Sequence, residues 1–242
     1  MKKVYIILLL TLVAICSMQA QVHVENAQRI TQLQESLTLV EAVSVAQDWV
    51  ASIPADQLLD CASQTQKILY PPYSTIKERM TYRILLERLL QEGGDELTLL
   101  RYKYMYESLC YNNEGDVASD FVYYDINDNE QTLQSHRGKK TLIIFNDPEC
   151  EECAALRYHI VAEQELQGVA IDSTTTVLVI YPDEPTEEWR EAVAHYPATW
   201  IVGYSADVSD VYDLRTLPST YLLDEKHIIL LRNAHTYITT KL

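Results

Sequence analysis

Cys150 and Cys153 enclose two glutamates, and this segment follows an apolar run that ends at Phe145. A buried strand, a short loop and a helix that begins at the first cysteine would place the Cys150 sulfur beside free backbone N–H groups and the positive end of the helix dipole. Both features favour the thiolate, which is the reactive form of cysteine. Cys153, about one helical turn later, would face the same side and could attack a mixed disulfide on Cys150. The segment therefore predicts a redox-active pair that needs no organic cofactor.

Acidic side chains crowd this pair. Glu149 precedes Cys150, Glu151 and Glu152 follow it, and Asp147 lies in the preceding loop. Like charge opposes a thiolate, whereas the helix dipole favours it. Acids in the first turn are also ordinary stabilisation of a helix. If the sulfur feels the repulsion, the pair is a weaker oxidant, which predicts a reductase or isomerase role and makes the three glutamates its tuning residues.

The same spacing also suits half a zinc site or a purely structural disulfide. Zinc would need two further ligands, and the nearest histidines in the sequence, His159 and His195, form no second pair with a cysteine. We therefore predict no metal. A structural disulfide is common in secreted proteins and leads to the competing hypothesis, a redox-silent binding module.

The elements around the pair alternate between strand and helix. Such an order implies a partly parallel sheet that is covered on both faces. Strands are predicted at Phe121–Ile126, Thr141–Phe145, Thr175–Tyr181 and Thr199–Val202, and helices at Cys150–Gln167 and Pro185–His195. A helical turn at Val208–Leu214 and a hairpin of Thr220–Leu223 with His227–Leu231 complete the predicted order.

The region from Val22 to about Tyr111 has a different pattern, typical of a small helical bundle with short connections. Thr75, or Ser74 before it, is a candidate N-cap for a helix over Ile76–Leu90, and Gly93-Gly94 would end that helix. The polar stretch at 112–116 predicts the domain boundary. The predicted organisation is thus a signal peptide over 1–20, a helical domain over 21–115 and a second domain over 116–242.

The first twenty residues resemble an export signal. Lys2 and Lys3 precede an apolar run, and small residues before Gln21 suit cleavage after Ala20. The run is too short to span a bilayer, and no later segment is apolar enough to do so. Acylation of Cys16 would make a lipoprotein, but Ile15 replaces the usual small residue. A periplasmic or secreted location is therefore preferred, without a stable membrane span.

The composition limits the partners. The 242 residues carry a formal net charge of −16, which becomes −18 without Lys2 and Lys3 (17 basic against 35 acidic residues). Such a surface repels nucleic acid and anionic lipid. Four cysteines stay after cleavage, and three pairings are open to them. Close spacing favours Cys150 with Cys153, while Cys61 and Cys110 either bridge two helices or, as we prefer, lie buried as thiols.

The second half resembles the exported thioredoxin-like proteins, which include the thiol-disulfide oxidoreductases of cytochrome maturation. The resemblance begins near Ala118 and is carried by Thr141–Phe145, by the cysteine pair and by the stretch from Leu217 to Asp224. The last stretch looks like the family's loop in which a proline follows a cis peptide bond and faces the cysteines. The resemblance therefore implies that Pro218 is cis, that it lies against the pair, and that the Leu217 backbone is free to bind a peptide.

This resemblance implies an α/β thioredoxin-like fold for the C-terminal half, preceded by an all-α helical bundle. The helical half looks like an uncharacterised exported family of the DUF5106 type. The implied function is thiol–disulfide exchange with exported proteins, with an unidentified electron donor that recycles the pair. One departure is Glu149, which replaces the aromatic residue often found before the first cysteine. Related single-cysteine peroxidases carry a proline and a threonine where this chain has Ile143 and Asp147, so a peroxidase is disfavoured.

Overall fold

The chain forms two compact units, Met1–Leu109 and Cys110–Leu242, in a computed structural model that describes residues 21–166 and 169–233. The predicted signal peptide lies outside the described residues. Within these ranges, no helix has the length and apolar character that crossing a membrane requires. The predicted boundary after residue 115 falls six residues beyond this division (115 minus 109).

The first unit is built from helices, as its pattern predicts. A helix over 21–35 (α1) is followed by four more, and α4 packs against α2, α3 and α5. Leucine, alanine and aromatic side chains of these helices form one core. The further helices are α2 (Leu39–Ser52), α3 (Leu58–Leu69), α4 (Ile76–Glu92) and α5 (Glu96–Leu109), with a 3-10 turn at Ala55–Gln57.

Helix α4 begins where the sequence predicts. Thr75 accepts a hydrogen bond from the Glu78 N–H, and the Glu78 carboxylate accepts one from the Thr75 N–H. This reciprocal arrangement satisfies two N–H groups that the helix start would otherwise leave free. The helix runs two residues past the predicted Leu90, and Gly93 follows it with φ +78°, a conformation that favours glycine.

The second unit contains a seven-stranded mixed sheet in the order β2-β1-β7-β6-β3-β8-β9. The central strands β3, β6 and β7 are parallel, and the outer strands join antiparallel. A partly parallel sheet is thus confirmed. The strands of the sheet are β1 (Val122–Asp125), β2 (Glu130–Thr132), β3 (Thr141–Phe145), β6 (Thr176–Tyr181), β7 (Ile201–Tyr204), β8 (Ser219–Leu223) and β9 (Ile229–Arg232), and a separate pair is formed by β4 (Glu165–Leu166) and β5 (Val169–Ala170).

Side chains of β3 alternate between two cores, one on each face of the sheet. Leu142 and Ile144 pack on the face covered by α6 (Glu151–Glu163) and α7 (Glu187–Val193). Ile143 and Phe145 pack on the other face, where aromatic rings gather. Because both faces are buried, β3 is apolar from Leu142 to Phe145, which made it easy to identify from the sequence.

The structure differs from several of the predictions about local structure. The helix predicted to run from Cys150 to Gln167 ends at Glu163, because Gln164 adopts a left-handed conformation (φ +52°) and the chain turns into the β4–β5 pair. Strand β7 begins at Ile201, two residues after the predicted Thr199. Strand β2 was not predicted, since its residues Glu130–Thr132 are polar and partly exposed.

Candidate functional site

The site is built on the connection between β3 and α6. Phe145 ends the strand, and the Asp147 carboxylate accepts a hydrogen bond from the Glu149 N–H at 2.8 Å. The Cys150 N–H donates to the Asp147 carbonyl at 3.2 Å. These two bonds form a tight turn that delivers Cys150 as the N-cap residue of α6. The predicted strand, loop and helix start are therefore present.

The Cys150 sulfur meets three different groups. It accepts a hydrogen bond from the Cys153 N–H at 3.2 Å, which is one of the free N–H groups of the first helical turn. The Leu217 carbonyl oxygen lies 3.6 Å from it, and the nearer carboxylate oxygen of Glu152 lies 3.8 Å from it. Cys150 is partly exposed. The sulfur thus has a backbone donor, a backbone carbonyl and a carboxylate around it.

Cys153 occupies a different environment one turn into the helix. It is buried, with 3% of its surface exposed. Burial, and the hydrogen bond with Cys150, raise the pKa of the Cys153 thiol. The Cys150 and Cys153 sulfurs are not joined by a disulfide in this structure. A buried thiol beside a partly exposed one fits a resolving and an attacking cysteine, respectively.

The loop before β8 brings Leu217 and Pro218 to the cysteines. The peptide bond between them is cis, and Pro218 is buried. Ser219, the next residue, is paired in the sheet with Phe145, the last residue before the cysteine loop. Within the described parts of the chain, the Leu217 N–H donates to no acceptor. The predicted cis bond is present, and the Leu217 carbonyl lies beside the Cys150 sulfur, while contact of Pro218 with the cysteines stays a prediction.

The three acidic tuning residues are not equivalent. All three are exposed, and among the described residues only the Glu152 carboxylate accepts a hydrogen bond from the Cys150 thiol, with Sγ and Oε2 3.8 Å apart. Glu149 and Glu151 make no hydrogen bond to either sulfur among the described residues. Any effect of these two on the thiol acts through longer-range charge, which solvent screens.

A polar pair that the sequence analysis missed lies at the buried side of the site. Asn146, the first residue of the cysteine loop, is buried and donates from Nδ2 to the Tyr196 hydroxyl at 2.7 Å. The Arg157 guanidinium lies 4.8 Å from the centre of the Tyr196 ring. Burial raises the pKa of Tyr196, so its hydroxyl stays protonated at neutral pH. A buried asparagine at the end of an apolar strand was the available signal, because such a group needs a partner.

A second cluster that was not predicted from the sequence stabilises the loop that carries Pro218. Asp213, Arg215 and Arg232 form two ion pairs, and both Asp213 and Arg232 have buried side chains. Arg232 ends the apolar strand β9, and an arginine at such a position indicates a buried acceptor. The acceptor could not be identified from the sequence, since it lies 19 residues away in a loop.

The other cysteines of the described residues, Cys61 and Cys110, form no comparable pair. Cys61 is fully buried in α3, and burial raises the pKa of its thiol to about 12. Cys61 and Cys110 are both unbonded, and Cys110 belongs to the second unit rather than to the helical half in which it was predicted. No three histidine, cysteine or acidic side chains converge into a set that could hold a metal within 21–166 and 169–233.

Comparison with known proteins gives a relative in Bacillus subtilis. The thioredoxin-like protein YneN is 32% identical to this chain over 123 residues, which cover 48% of this chain and 68% of that protein. No protein-family model matches the chain, so the resemblance of the helical half to the DUF5106 type stays a prediction.

One of the solved structures that match shares the fold over most of this chain. A thioredoxin-like protein from Bacteroides caccae superposes with a TM-score of 0.73 at 21% identity, over 93% of this chain and 84% of that one. The thioredoxin domain of a thiol-disulfide oxidoreductase from Bacteroides vulgatus is 23% identical over 54% of this chain and 96% of its own length, with a TM-score of 0.44. The Bacteroides caccae structure confirms the predicted fold class.

Proposed function

This chain belongs to the thioredoxin-like family, and on that premise we propose that its second unit exchanges thiols and disulfides with proteins through Cys150 and Cys153. The arrangement of the Cys150 sulfur supports the proposal most directly. The Cys150 sulfur belongs to the N-cap residue of α6. It accepts a hydrogen bond from the Cys153 N–H at 3.2 Å and lies 3.6 Å from the Leu217 carbonyl oxygen. A sulfur that is partly exposed, supplied with a backbone donor and next to a second thiol can serve as a nucleophile.

The proposed reaction has two steps. The Cys150 thiolate attacks one sulfur of a substrate disulfide, so that a Cys150–substrate disulfide forms and the other substrate sulfur leaves as a thiolate. The Cys153 thiolate then attacks the Cys150 sulfur, forms the Cys150–Cys153 disulfide and releases the second substrate thiolate. Two electrons pass from the cysteine pair to the substrate, and the two protons of the cysteine thiols end on the released sulfurs.

Leu217 and Pro218 are the proposed positioning residues for the substrate. The Leu217 N–H has no acceptor in the described parts of the chain, and its carbonyl faces the Cys150 sulfur. An extended peptide could therefore pair with this backbone while presenting its own sulfur to Cys150. Such pairing would hold the two reacting sulfurs together without any side-chain requirement in the substrate.

The acidic residues around Cys150 favour a role as a reductase or isomerase over a role as an oxidase. The Glu152 carboxylate, 3.8 Å from the Cys150 sulfur, repels a thiolate and thereby favours the oxidised pair over the reduced one. A pair that gives up its electrons readily is a reductant. Repeated turnover as a reductase requires an external dithiol that supplies two electrons, and this donor belongs to the proposal together with export of the chain.

The decisive experiment is substrate trapping. Cys153→Ser removes the thiol that resolves the intermediate, so mixed disulfides on Cys150 should accumulate and be released by dithiothreitol. Cys150→Ser is the matched control and should trap nothing. Trapping should be combined with measurement of the reduction potential of the wild-type pair. A potential near that of DsbA, about −120 mV, would exclude the reductase direction.

Failure of the trap has a definite meaning. If Cys153→Ser yields no mixed disulfide although Cys150 reacts with a small thiol reagent, exchange with proteins is excluded. The competing hypothesis of a redox-silent binding module with a structural disulfide would then be favoured.

A further inference from the structure

A buried ion pair fixes the start of the loop that carries Leu217 and Pro218. Arg232 Nη2 donates to Asp213 Oδ2 at 2.9 Å, and the exposed fractions of the two side chains are 1% and 7%. Solvent and salt screen a buried pair much less than an exposed one. Asp213 is thereby anchored to the last strand of the sheet, β9.

The same carboxylate also shapes the loop itself. Arg215 donates to it from Nε at 2.8 Å and from Nη2 at 2.7 Å, and the Arg215 N–H lies 3.3 Å from Asp213 Oδ1. Burial alone would raise the pKa of Asp213, but the two guanidinium groups outweigh it and hold that pKa below its usual value. The carboxylate is therefore ionised at neutral pH and accepts from both arginines.

The far end of the loop is fixed by the sheet. Ser219 begins β8 in register with Phe145, and its hydroxyl donates to the Asp213 carbonyl at 3.3 Å. Residues 213 and 219 are therefore both held, and Leu217 lies between them with its carbonyl 3.6 Å from the Cys150 sulfur. The position of the Leu217 backbone thus depends on two anchors, of which only the ion pair can be removed without disturbing the central strands.

We propose that the Asp213–Arg232 pair is a positioning device for polypeptide substrates, because it sets the place of the Leu217 backbone beside Cys150. This inference rests on the proposed exchange reaction. A polypeptide must pair with Leu217 and meet the sulfur at the same time, and a misplacement of about 1 Å at a reacting group costs about 100-fold in rate. A small disulfide needs only the sulfur and does not use the loop.

The test compares two substrates in one variant. Asp213→Asn keeps the shape of the side chain but removes its charge. We expect a loss in kcat/KM of at least about tenfold with a disulfide-bonded peptide, mainly through KM, and less than about twofold with the small aromatic disulfide DTNB. If Asp213 had a purely structural role, Asp213→Asn would lower kcat/KM by the same factor with both substrates. Amide hydrogen exchange over 213–219 should also rise in the folded variant.

Two further variants keep the test informative. Arg190→Gln removes an exposed ion pair with Asp128 in the same unit and should behave as wild type with both substrates. If Asp213→Asn does not fold, Arg215→Gln removes only the more exposed arginine, and a loss confined to the peptide is again expected. An unchanged ratio of peptide to DTNB activity in a folded variant overturns the proposal. Wild-type protein inactive with both disulfides would instead overturn the exchange reaction itself.

Discussion

The two units place cysteine in two different environments. Cys61 lies inside α3 in the first unit with no exposed surface, and burial raises the pKa of its thiol to about 12. Cys150 lies at the start of α6 in the second unit, partly exposed, and accepts a backbone N–H. Cys61 lies within a helix and Cys150 caps one, so the presence of a helix does not by itself decide what the sulfur does.

Burial makes much of the difference, because Cys61, the fourth residue of α3, is enclosed by the core of the first unit and has no exposed surface. The start of α6 adds a backbone donor at Cys150. The first turn leaves N–H groups free, and the Cys153 N–H uses this freedom to bind the Cys150 sulfur. The comparison teaches that helix boundaries must be known before a cysteine can be assigned a role.

The most severe test of this comparison exchanges the sulfur for oxygen in each unit. Cys150→Ser should abolish disulfide exchange, a loss on the order of 10⁴-fold, since a serine hydroxyl is a very poor nucleophile without a base. Cys61→Ser should leave exchange unchanged and lower the free energy of unfolding by about 1–3 kcal/mol, because it buries a hydroxyl. Insulin-type turbidity assays and urea unfolding measure the two effects. Loss of exchange in Cys61→Ser would break the comparison.

Alkylation with iodoacetamide at pH 8 tests the comparison between Cys61 and Cys150 more precisely. A thiol with a pKa of about 12 is ionised only to about one part in 10⁴ at this pH, so Cys61 should react about 10³-fold more slowly than an ordinary exposed cysteine. Cys150 should be labelled first, and Cys61 only after the protein is unfolded in urea. Peptide mass spectrometry over a time course identifies the order. Labelling of Cys61 in the folded protein at the rate of Cys150 would contradict this prediction.

Burial should suppress charge on histidine as it does on Cys61. Burial lowers the pKa of His136 and of His227 in the second unit, so below pH 6.5 the unfolded chain takes up protons that the folded chain does not. The free energy of unfolding should therefore fall as the pH drops below 6.5, by at most about 1.4 kcal/mol per pH unit for each histidine.

Urea titrations between pH 7.5 and 5 measure that slope. His227→Asn is a suitable variant, because His227 has φ +64° and asparagine tolerates this conformation. The variant should lose part of the slope, and a slope equal to that of wild type would show that His227 does not take part.

The smallest expected effect concerns the charge beside the reactive sulfur. Glu152→Gln removes the carboxylate that lies 3.8 Å from Cys150, so alkylation of Cys150 should become about threefold faster and the reduction potential should rise by about 15 mV, which is threefold in the equilibrium constant. Glu163→Gln, at the other end of α6, is the matched control and should change neither. A slower reaction in Glu152→Gln would show that the carboxylate assists rather than opposes the thiolate.

Local signals allowed much of this molecule to be predicted. The apolar run of β3, the N-cap at Thr75 and the cysteine spacing each depend on neighbours in the sequence, and each corresponds to the observed structure. The resemblance of the stretch after Leu217 added the cis bond before Pro218. The fold class and the central residues of the candidate site could be inferred from these features.

Contacts between distant residues could not be inferred. Arg232 at the end of an apolar strand indicates a buried acceptor, but nothing in the sequence identifies Asp213 as that acceptor, and only the fold brings the two together. The early end of α6 depends on one left-handed residue, Gln164, which carries no glycine or proline signal. The unequal roles of the three glutamates are likewise a matter of side-chain direction, because Glu151 and Glu152 differ by one position on the same turn.

The pairing of Phe145 with Ser219 has a consequence for how the site can evolve. Phe145 leads into the cysteine loop and Ser219 follows Pro218. The register of β3 and β8 therefore sets the distance between the Cys150 sulfur and the loop that carries Leu217. Substitutions at exposed loop positions can change reactivity or substrate choice while this spacing is kept. A one-residue slip between the strands would dismantle the site at once, since it moves one side by about 3.3 Å and turns its side chains over.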